Sequence, residues 1–175
     1  PYTPLSEILP SRYSFFDGIY TRDEQTKQNS ATLMLTGDIM CLSAQQNAAR
    51  EGDTFNFNSS FDLVKDVFKS ADFVIGNLET ITSHSALYTF EQKNANGNPN
   101  CNAPATYLDA IRYAGFDAVV TANNHCSDAG RQGVIETIRL LDKYNISHTG
   151  TFLKENDNRF LLYDINGIKV AVLSY

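Results

Sequence analysis

Apolar and polar positions alternate in short blocks from residue 31 onward, and these blocks predict alternating strands and helices. Three short apolar runs have the length of buried strands: residues 31–36, 73–75 and 116–121. Three other stretches show helical spacing or helix boundary residues: 61–70 with Ser60 as its cap, 104–114 between Pro104 and Gly115, and 130–144. The pattern therefore predicts strand, helix, strand, helix, strand and helix in that order.

A β-hairpin is predicted after the last helix. Asn166-Gly167 separates two apolar runs, and this dipeptide is a strong signal for a two-residue hairpin turn. Strands that alternate with helices are typical of an α/β fold, in which we expect the first three strands to be parallel with right-handed crossovers. We interpret residues 1–30 as an irregular arm or linker and residues 31–175 as one domain. Because the chain stops at Tyr175 inside an apolar strand, we expect the domain to be truncated there.

Charge and composition exclude several classes of protein. The 175 residues carry 20 acidic and 14 basic side chains, a net charge of −6, so a nucleic-acid partner is not expected. No apolar run reaches the 18 to 20 or so residues that a membrane-spanning helix needs. Three cysteines, an odd number, do not form a disulfide framework.

Polar clusters follow each of the first three predicted strands. Gly37-Asp38 follows the first, Asn77 and Glu79 the second, and Asn124-His125 the third. The carboxyl ends of parallel strands meet at one edge of a sheet, so these side chains are expected to converge. Oxygen ligands with one imidazole suit a divalent cation such as Mn²⁺, Mg²⁺ or Zn²⁺. Each cluster taken singly also fits a structural role, as a turn, a helix cap or a hydrogen-bonded loop.

Three stretches form a specific pattern in their order along the chain. They read Gly37-Asp-Ile-Met40, then Ala71-Asp-Phe-Val-Ile-Gly-Asn-Leu-Glu-Thr80, then Ala114-Gly-Phe-Asp-Ala-Val-Val-Thr-Ala-Asn-Asn-His-Cys-Ser-Asp-Ala-Gly130. From about Ala31 to Tyr175 the chain resembles the CapA family of bacterial capsule-synthesis (poly-γ-glutamate) proteins, which is related to calcineurin-like metallophosphoesterases. The resemblance implies a β-sandwich flanked by helices, of which this chain holds the first part.

The resemblance also implies roles for individual residues. Asp38 matches a metal ligand, while Met40 stands where metallophosphoesterases usually have a histidine. Asn77 replaces a bridging aspartate, and Glu79 supplies the lost charge. In the third motif, Asn124 matches a metal ligand and His125 a phosphate contact or general acid. The resemblance thus gives a metal set and a catalytic pair: Asp38, Asn77, Glu79, Asn124 and His125 for the metal, and His125 oriented by Asp128 for catalysis.

Two functions are compatible with these residues. The first is a metal-dependent hydrolase or transferase that acts on a phosphoester or on poly-γ-glutamate, with Mn, Mg, Zn or Fe as its metal. The second is a non-catalytic component of capsule assembly or export that binds the anionic polymer or other capsule-synthesis membrane proteins. The missing histidine at Met40 and the neutral Asn77 favour the second function. The resemblance further implies an extracytoplasmic location, with a membrane anchor outside this chain.

Other polar residues receive weaker assignments. His84 is predicted to be solvated, and His148 to lie at a strand edge. Cys41 and Cys126 are predicted to be inert, although both follow site residues closely and a pairing between them stays open. A basic patch that would attract a polyanion is predicted from four residues: Lys65, Lys69, Arg112 and Arg131.

Overall fold

Two four-stranded β-sheets form the framework of the protein in a computed structural model, which describes residues 11–26, 29–92 and 100–175. In chain order the strands are β1 (Tyr13–Phe16), β2 (Ile19–Arg22), β3 (Leu33–Ile39), β4 (Arg50–Glu51), β5 (Thr54–Phe55), β6 (Phe73–Leu78), β7 (Ala118–Val120), β8 (Ser147–Thr149), β9 (Phe160–Ile165) and β10 (Ile168–Leu173). The helices are α1 (Ser43–Ala48), α2 (Lys65–Lys69), α3 (Thr106–Ala114) and α4 (Gly130–Lys143).

The first sheet is parallel and has the order β3-β6-β7-β8. The three strands predicted from the apolar runs are its first three members, which confirms the α/β class and their parallel arrangement. The fourth, β8, was not predicted, since Ser147–Thr149 is short and has no apolar residue. The predicted hairpin is confirmed as β9 and β10, which pair through Asn166-Gly167.

Strand β6 of the parallel sheet is buried on both faces, and the two sheets with their helices form a β-sandwich flanked by helices. Along β6, Phe73 and Ile75 belong to an apolar cluster shared with the second sheet, whose order is β1-β2-β9-β10. Val74 and Leu78 belong to a second cluster shared with α3 and the end of α4. Because successive side chains of a strand point to opposite faces, a continuous apolar run is what a strand covered on both sides requires. The predicted fold class is therefore confirmed.

The helix predicted over residues 61–70 is shorter than expected. Only Lys65–Lys69 is helical, and Ser60 ends a short 3₁₀ segment without capping a helix. Phe61 and Phe68 both pack their rings against Phe116, at centroid distances of 6.2 and 5.0 Å. These tertiary contacts override the helical spacing in the first part of the stretch. By contrast, α3 ends as predicted at Gly115, which has a φ of 98°.

Residues 13–22 form a hairpin where an irregular segment was expected. Its turn is Asp17-Gly18, with φ angles of 48° and 80°, and both values are those of a tight hairpin turn. An Asp-Gly pair between apolar residues was therefore a usable signal in the sequence. The hairpin joins the second sheet because β2 pairs in parallel with β9. Residues 1–10 and 27–28 of the predicted arm lie outside the described residues, and the division of the chain near residue 31 stays a prediction.

The polar stretch from Ser83 to Asn102 contains residues 93–99, which lie outside the described residues. Its described parts fold around the buried Asn102, whose amide donates to the carbonyl oxygens of Ser83, Ala86 and Leu87 at 3.1, 3.1 and 3.2 Å. No helix in the described ranges combines the length and apolar character needed to cross a membrane.

Glu136 of α4 attaches this stretch to the body of the protein. Its carboxylate accepts hydrogen bonds from the Ser83 hydroxyl at 2.7 Å, from the His84 backbone at 2.8 Å, and from the hydroxyl and backbone of Ser85. Burial opposes the charge, but together these hydrogen bonds and one from Gln132 lower the pKa of Glu136 to about 2. The ionised carboxylate therefore stabilises the folded chain.

We expect Glu136→Gln to lower the free energy of unfolding at pH 7 by about 1.5 kcal/mol, the low end for hydrogen bonds to a charged group. The folded pKa is depressed, so the contribution is complete above the ordinary value of 4.5 and is lost as the pH falls towards 2. The difference between variant and unaltered chain should therefore shrink in urea titrations run from pH 7 down to pH 3.5. Glu155→Gln, at an exposed position, serves as the control. A difference in the free energy of unfolding that stays constant between pH 7 and pH 3.5 would contradict the prediction.

Candidate functional site

The first two polar clusters lie side by side at the carboxyl ends of β3 and β6. Asp38 is paired with Asn77 in the register of these strands, after an irregularity that follows Leu35. The Asn77 amide donates to Asp38 Oδ1 at 2.9 Å and to Glu79 Oε2 at 3.3 Å. Three polar side chains from two strand ends are thus in direct contact.

The carboxyl groups of Asp38 and Glu79 interact with each other as well. The hydrogen bonds from Asn77 and from Glu79 lower the pKa of Asp38. Burial raises the pKa of Glu79, and the hydrogen bond and charge of Asp38 raise it further, while His125 acts in the opposite direction. Two carboxyl groups this close favour a shared proton or a bound cation over two free negative charges.

The loop after β7 reaches this pair through Asn123. Its amide nitrogen donates to Asn77 Oδ1 at 3.0 Å and to the Leu78 carbonyl oxygen at 2.9 Å. Its side-chain oxygen accepts the backbone N–H of His125 at 3.0 Å. One side chain therefore connects the second and third strand ends and sets the start of the turn that carries His125.

His125 is oriented by Asp128, three residues further along the same turn. His125 Nδ1 lies 2.8 Å from Asp128 Oδ2, and the backbone N–H of Cys101 donates to the same oxygen at 2.5 Å. Both side chains are mostly buried, with 17% and 14% of their surface exposed. With Nδ1 committed to the carboxylate, Nε2 is the ring nitrogen left for a ligand.

Cys101 joins these two residues in a possible metal-binding cluster. One ligand atom each of Cys101, His125 and Asp128 lies within 4.8 Å of the others. Burial, followed by the charges of Asp128 and Glu79, raises the pKa of the Cys101 thiol. Because the charge of Glu79 acts on the Cys101 thiol, the cluster lies near the carboxylate that follows β6.

The structure brings together most of the residues predicted for the site: Asp38, Asn77, Glu79, His125 and Asp128. Asn124 is exposed, and the contacts to β6 run through its neighbour Asn123 instead. The sequence offers the doublet Asn123-Asn124, and the prediction assigned the site role to Asn124 and missed Asn123. No pattern in the sequence indicated Cys101 as a site residue, because tertiary contacts determine the position of the long polar stretch that contains it.

The remaining cysteine and histidine predictions are largely confirmed. No disulfide bond joins Cys41, Cys101 or Cys126 to one another, so Cys41 and Cys126 are not paired. Burial raises the pKa of Cys41 to about 12, which makes its thiol unreactive. His84 is exposed, and His148 lies on the edge strand β8 with Nε2 3.1 Å from Asp142.

The prediction of a basic patch is wrong for one of its four residues, Arg112. Arg112 is buried, with 8% of its surface exposed, and donates to the Phe116 carbonyl oxygen at 3.4 Å inside the protein. Lys65 is hydrogen-bonded to Tyr113 and lies 3.2 Å from Asp62. The guanidinium of Arg112 faces inward because α3 is buried along nearly its whole length.

A cavity of about 250 Å³ adjoins Asp38. Its other walls are mostly apolar and include Met40, Phe61 and Tyr107. A larger cleft of about 690 Å³ lies between β8 and the β1–β2 hairpin, and none of the predicted site residues lines it. A ligand in this cavity would therefore meet the Asp38 carboxylate and several apolar side chains.

Comparisons with known proteins identify the family of the chain. A family profile described as "Bacterial capsule synthesis protein PGA_cap" matches residues 32–175. The chain belongs to this family. One relative is named a capsule biosynthesis protein and another a PGA biosynthesis protein, both CapA, and the family match confirms the resemblance seen in the three motifs.

The two relatives come from Bacillus species. The chain is 29% identical over 149 residues to the "Capsule biosynthesis protein CapA" of Bacillus anthracis, which covers 82% of this chain and 34% of that protein. It is 25% identical over 120 residues to the "PGA biosynthesis protein CapA" of Bacillus subtilis strain 168, which covers 67% of this chain and 30% of that protein. The chain therefore spans about a third of the length of these PGA_cap relatives.

Proposed function

We propose that this PGA_cap chain takes part in the biosynthesis of a capsule of the poly-γ-glutamate type and binds a divalent cation at the ends of β3, β6 and β7. The observation that carries the proposal is the Asn77 amide, which donates to Asp38 Oδ1 at 2.9 Å and to Glu79 Oε2 at 3.3 Å and so holds the two carboxyl groups side by side. The names of the Bacillus relatives support the process, and the side-chain geometry supports the cation.

The residues at this edge fit a cation by their chemistry. The carboxylates of Asp38 and Glu79 would hold it together with Nε2 of His125, and the exposed amide of Asn124 is the further ligand that the sequence predicts. A set dominated by oxygen favours Mg²⁺ or Mn²⁺, whereas the nearby Cys101 thiol and His125 favour Zn²⁺ or Fe²⁺. A bound cation would supply an acidified water and neutralise charge on a phosphoryl or acyl oxygen.

The chain's own residues suit hydrolysis or transfer at such a group. Asp128 fixes the His125 ring, so Nε2 has one direction in which to hold or deliver a proton. The apolar side chains that line the cavity beside Asp38 would contact the methylene groups of a substrate. We therefore propose a metal-dependent hydrolase or transferase that acts on a phosphoester or on a γ-glutamyl chain.

A non-catalytic role is the second candidate, and one observation favours it. Asn77 places a neutral amide between the two carboxylates, so the site has one negative charge fewer than a bridging aspartate would give. Fewer charged ligands bind a divalent cation more weakly. In this role the same edge would bind an anionic polymer or a capsule-synthesis membrane protein, at an extracytoplasmic location.

Calorimetric titration of Mn²⁺, Mg²⁺ and Zn²⁺ into the chain tests the cation site. We expect saturable binding by the unaltered chain and at least about a tenfold weaker affinity in Asp38→Asn, because the substitution removes a charged ligand. Asp66→Asn is the matched control, since Asp66 is an exposed aspartate on α2. The site is disproved if no ion binds, or if both variants bind as the unaltered chain does.

Hydrolysis assays then separate the two functions. An enzyme should release product from an aryl phosphate or a γ-glutamyl peptide only with the cation present, and His125→Ala should abolish turnover while cation binding is only weakened. Saturable binding of poly-γ-glutamate without turnover would favour the non-catalytic role.

A further inference from the structure

The orientation of the Asn123 amide is determined by two backbone groups. Its nitrogen donates to the Leu78 carbonyl oxygen, and its oxygen accepts the His125 backbone N–H. Reversing the amide would place two donors against each other at His125 and two acceptors against each other at Leu78. Since a backbone carbonyl only accepts and a backbone N–H only donates, just one orientation satisfies both.

This orientation fixes the next amide in the chain of contacts. The second N–H of Asn123 points at the Asn77 side chain, so the atom of Asn77 that faces it must be the acceptor Oδ1. The Asn77 nitrogen then faces the opposite way, toward Asp38 Oδ1 and Glu79 Oε2, and uses both of its hydrogens there. The only oxygen of the Asn77 side chain is therefore turned away from the two carboxylates.

We propose that Asn77 is a hydrogen-bond donor to the two carboxylates and not a metal ligand, and that Asn123 is the positioning residue that imposes this arrangement. This inference rests on the proposed cation site, and it revises the ligand set predicted from the sequence, in which Asn77 binds metal. An amide that donates to both carboxylates holds them together before an ion arrives. The ligands contributed at the ends of β3 and β6 are then Asp38 and Glu79, respectively.

Solution NMR of the unaltered, isotopically labelled chain tests the orientation without any metal. We expect scalar couplings across the hydrogen bonds from Asn123 Nδ2 to Asn77 Cγ and from Asn77 Nδ2 to Asp38 Cγ. On addition of Mg²⁺, the carboxyl carbons of Asp38 and Glu79 should shift more than the Asn77 Cγ. A dominant shift of Asn77 Cγ with loss of its coupling to Asn123 would show oxygen ligation and overturn the proposal.

Asn123→Asp tests the positioning role, with Asn47→Asp, at an exposed position on α1, as the matched control. Both variants add one negative charge by the same substitution, and Asp at 123 still accepts the His125 N–H but no longer donates to Asn77. We expect Asn123→Asp to weaken Mn²⁺ binding about tenfold, as loss of a residue that orients ligands does, whereas Asn47→Asp should not weaken it. Unchanged or tighter binding in a folded Asn123→Asp would overturn the proposal.

The two proposals fail in distinguishable ways. If the unaltered chain binds no cation, the cation site is disproved, while the metal-free couplings still decide how Asn77 and Asn123 are oriented. If the cation binds and the Asn123 coupling is absent, the site stands and the positioning role is disproved.

Discussion

Replacing Arg12 with alanine is expected to lower the free energy of unfolding by about 3 kcal/mol, because it leaves the buried carboxylate of Asp117 without its main partner. The Asp117 side chain is 2% exposed and accepts hydrogen bonds from Arg12 Nε at 3.0 Å and Nη2 at 2.5 Å. Burial raises the pKa of Asp117, and Arg12 opposes that rise. The effect falls at the low end for a broken buried pair, since the charge of Arg112 still acts on Asp117.

Chemical denaturation of three variants tests this prediction. Adding Asp117→Asn to the Arg12→Ala variant should recover part of the lost stability, because it removes the uncompensated charge while keeping an acceptor for the Val74 N–H. Lys69→Ala breaks an exposed pair with Asp66 and should cost less than about 0.5 kcal/mol. An Arg12→Ala chain as stable as the Lys69→Ala chain would refute the stabilising role of the Arg12–Asp117 pair.

Replacing Gly150 with alanine is expected to lower the free energy of unfolding by about 3 kcal/mol and to weaken cation binding. Gly150 follows β8 with a φ of 120°, which side chains rarely adopt and which costs about 1–3 kcal/mol. A Cβ there would also lie 2.5 Å from the Ala122 backbone nitrogen, so the backbone must move. Ala122 immediately precedes Asn123, and the displacement would therefore reach the site.

Gly167→Ala provides the control for backbone strain alone. Gly167 has a φ of 82° in the β9–β10 turn, but nothing lies within 4 Å of the position of an added Cβ. We expect it to lower stability by only about 1 kcal/mol and to leave the Mn²⁺ affinity unchanged. If Gly150→Ala were no worse than Gly167→Ala in unfolding and calorimetry, close packing of Gly150 on Ala122 would be refuted.

The sequence was sufficient to predict that the three polar clusters converge at one edge of the sheet. Asp38, Glu79 and His125 each follow an apolar run of strand length, and parallel strands place such positions at one edge whatever the details of packing. The strand order β3-β6-β7 then made neighbours of residues about 40 positions apart. Local pattern and fold topology give the same answer here, so the convergence could be predicted from one sequence.

The partners within the site could not be predicted in the same way. Choosing between Asn123 and Asn124 requires the direction of each side chain in an irregular loop, and that direction is set by the Leu78 carbonyl and the Asn77 amide on another strand. Cys101 approaches Asp128 because buried Asn102 holds the long polar stretch in place. Neither contact leaves a periodic pattern in the chain.

The sequence by itself determined the α/β class, the three parallel strands, the β9–β10 hairpin and the edge at which the polar clusters meet, since these follow from the spacing of apolar residues and from turn residues. Tertiary structure alone decided the shortened helix before Ser70, the burial of Arg112, the Arg12–Asp117 pair and the orientation of Asn77. Each of these depends on which atoms from distant segments come within hydrogen-bonding or packing distance, and such contacts form only when the whole sandwich assembles.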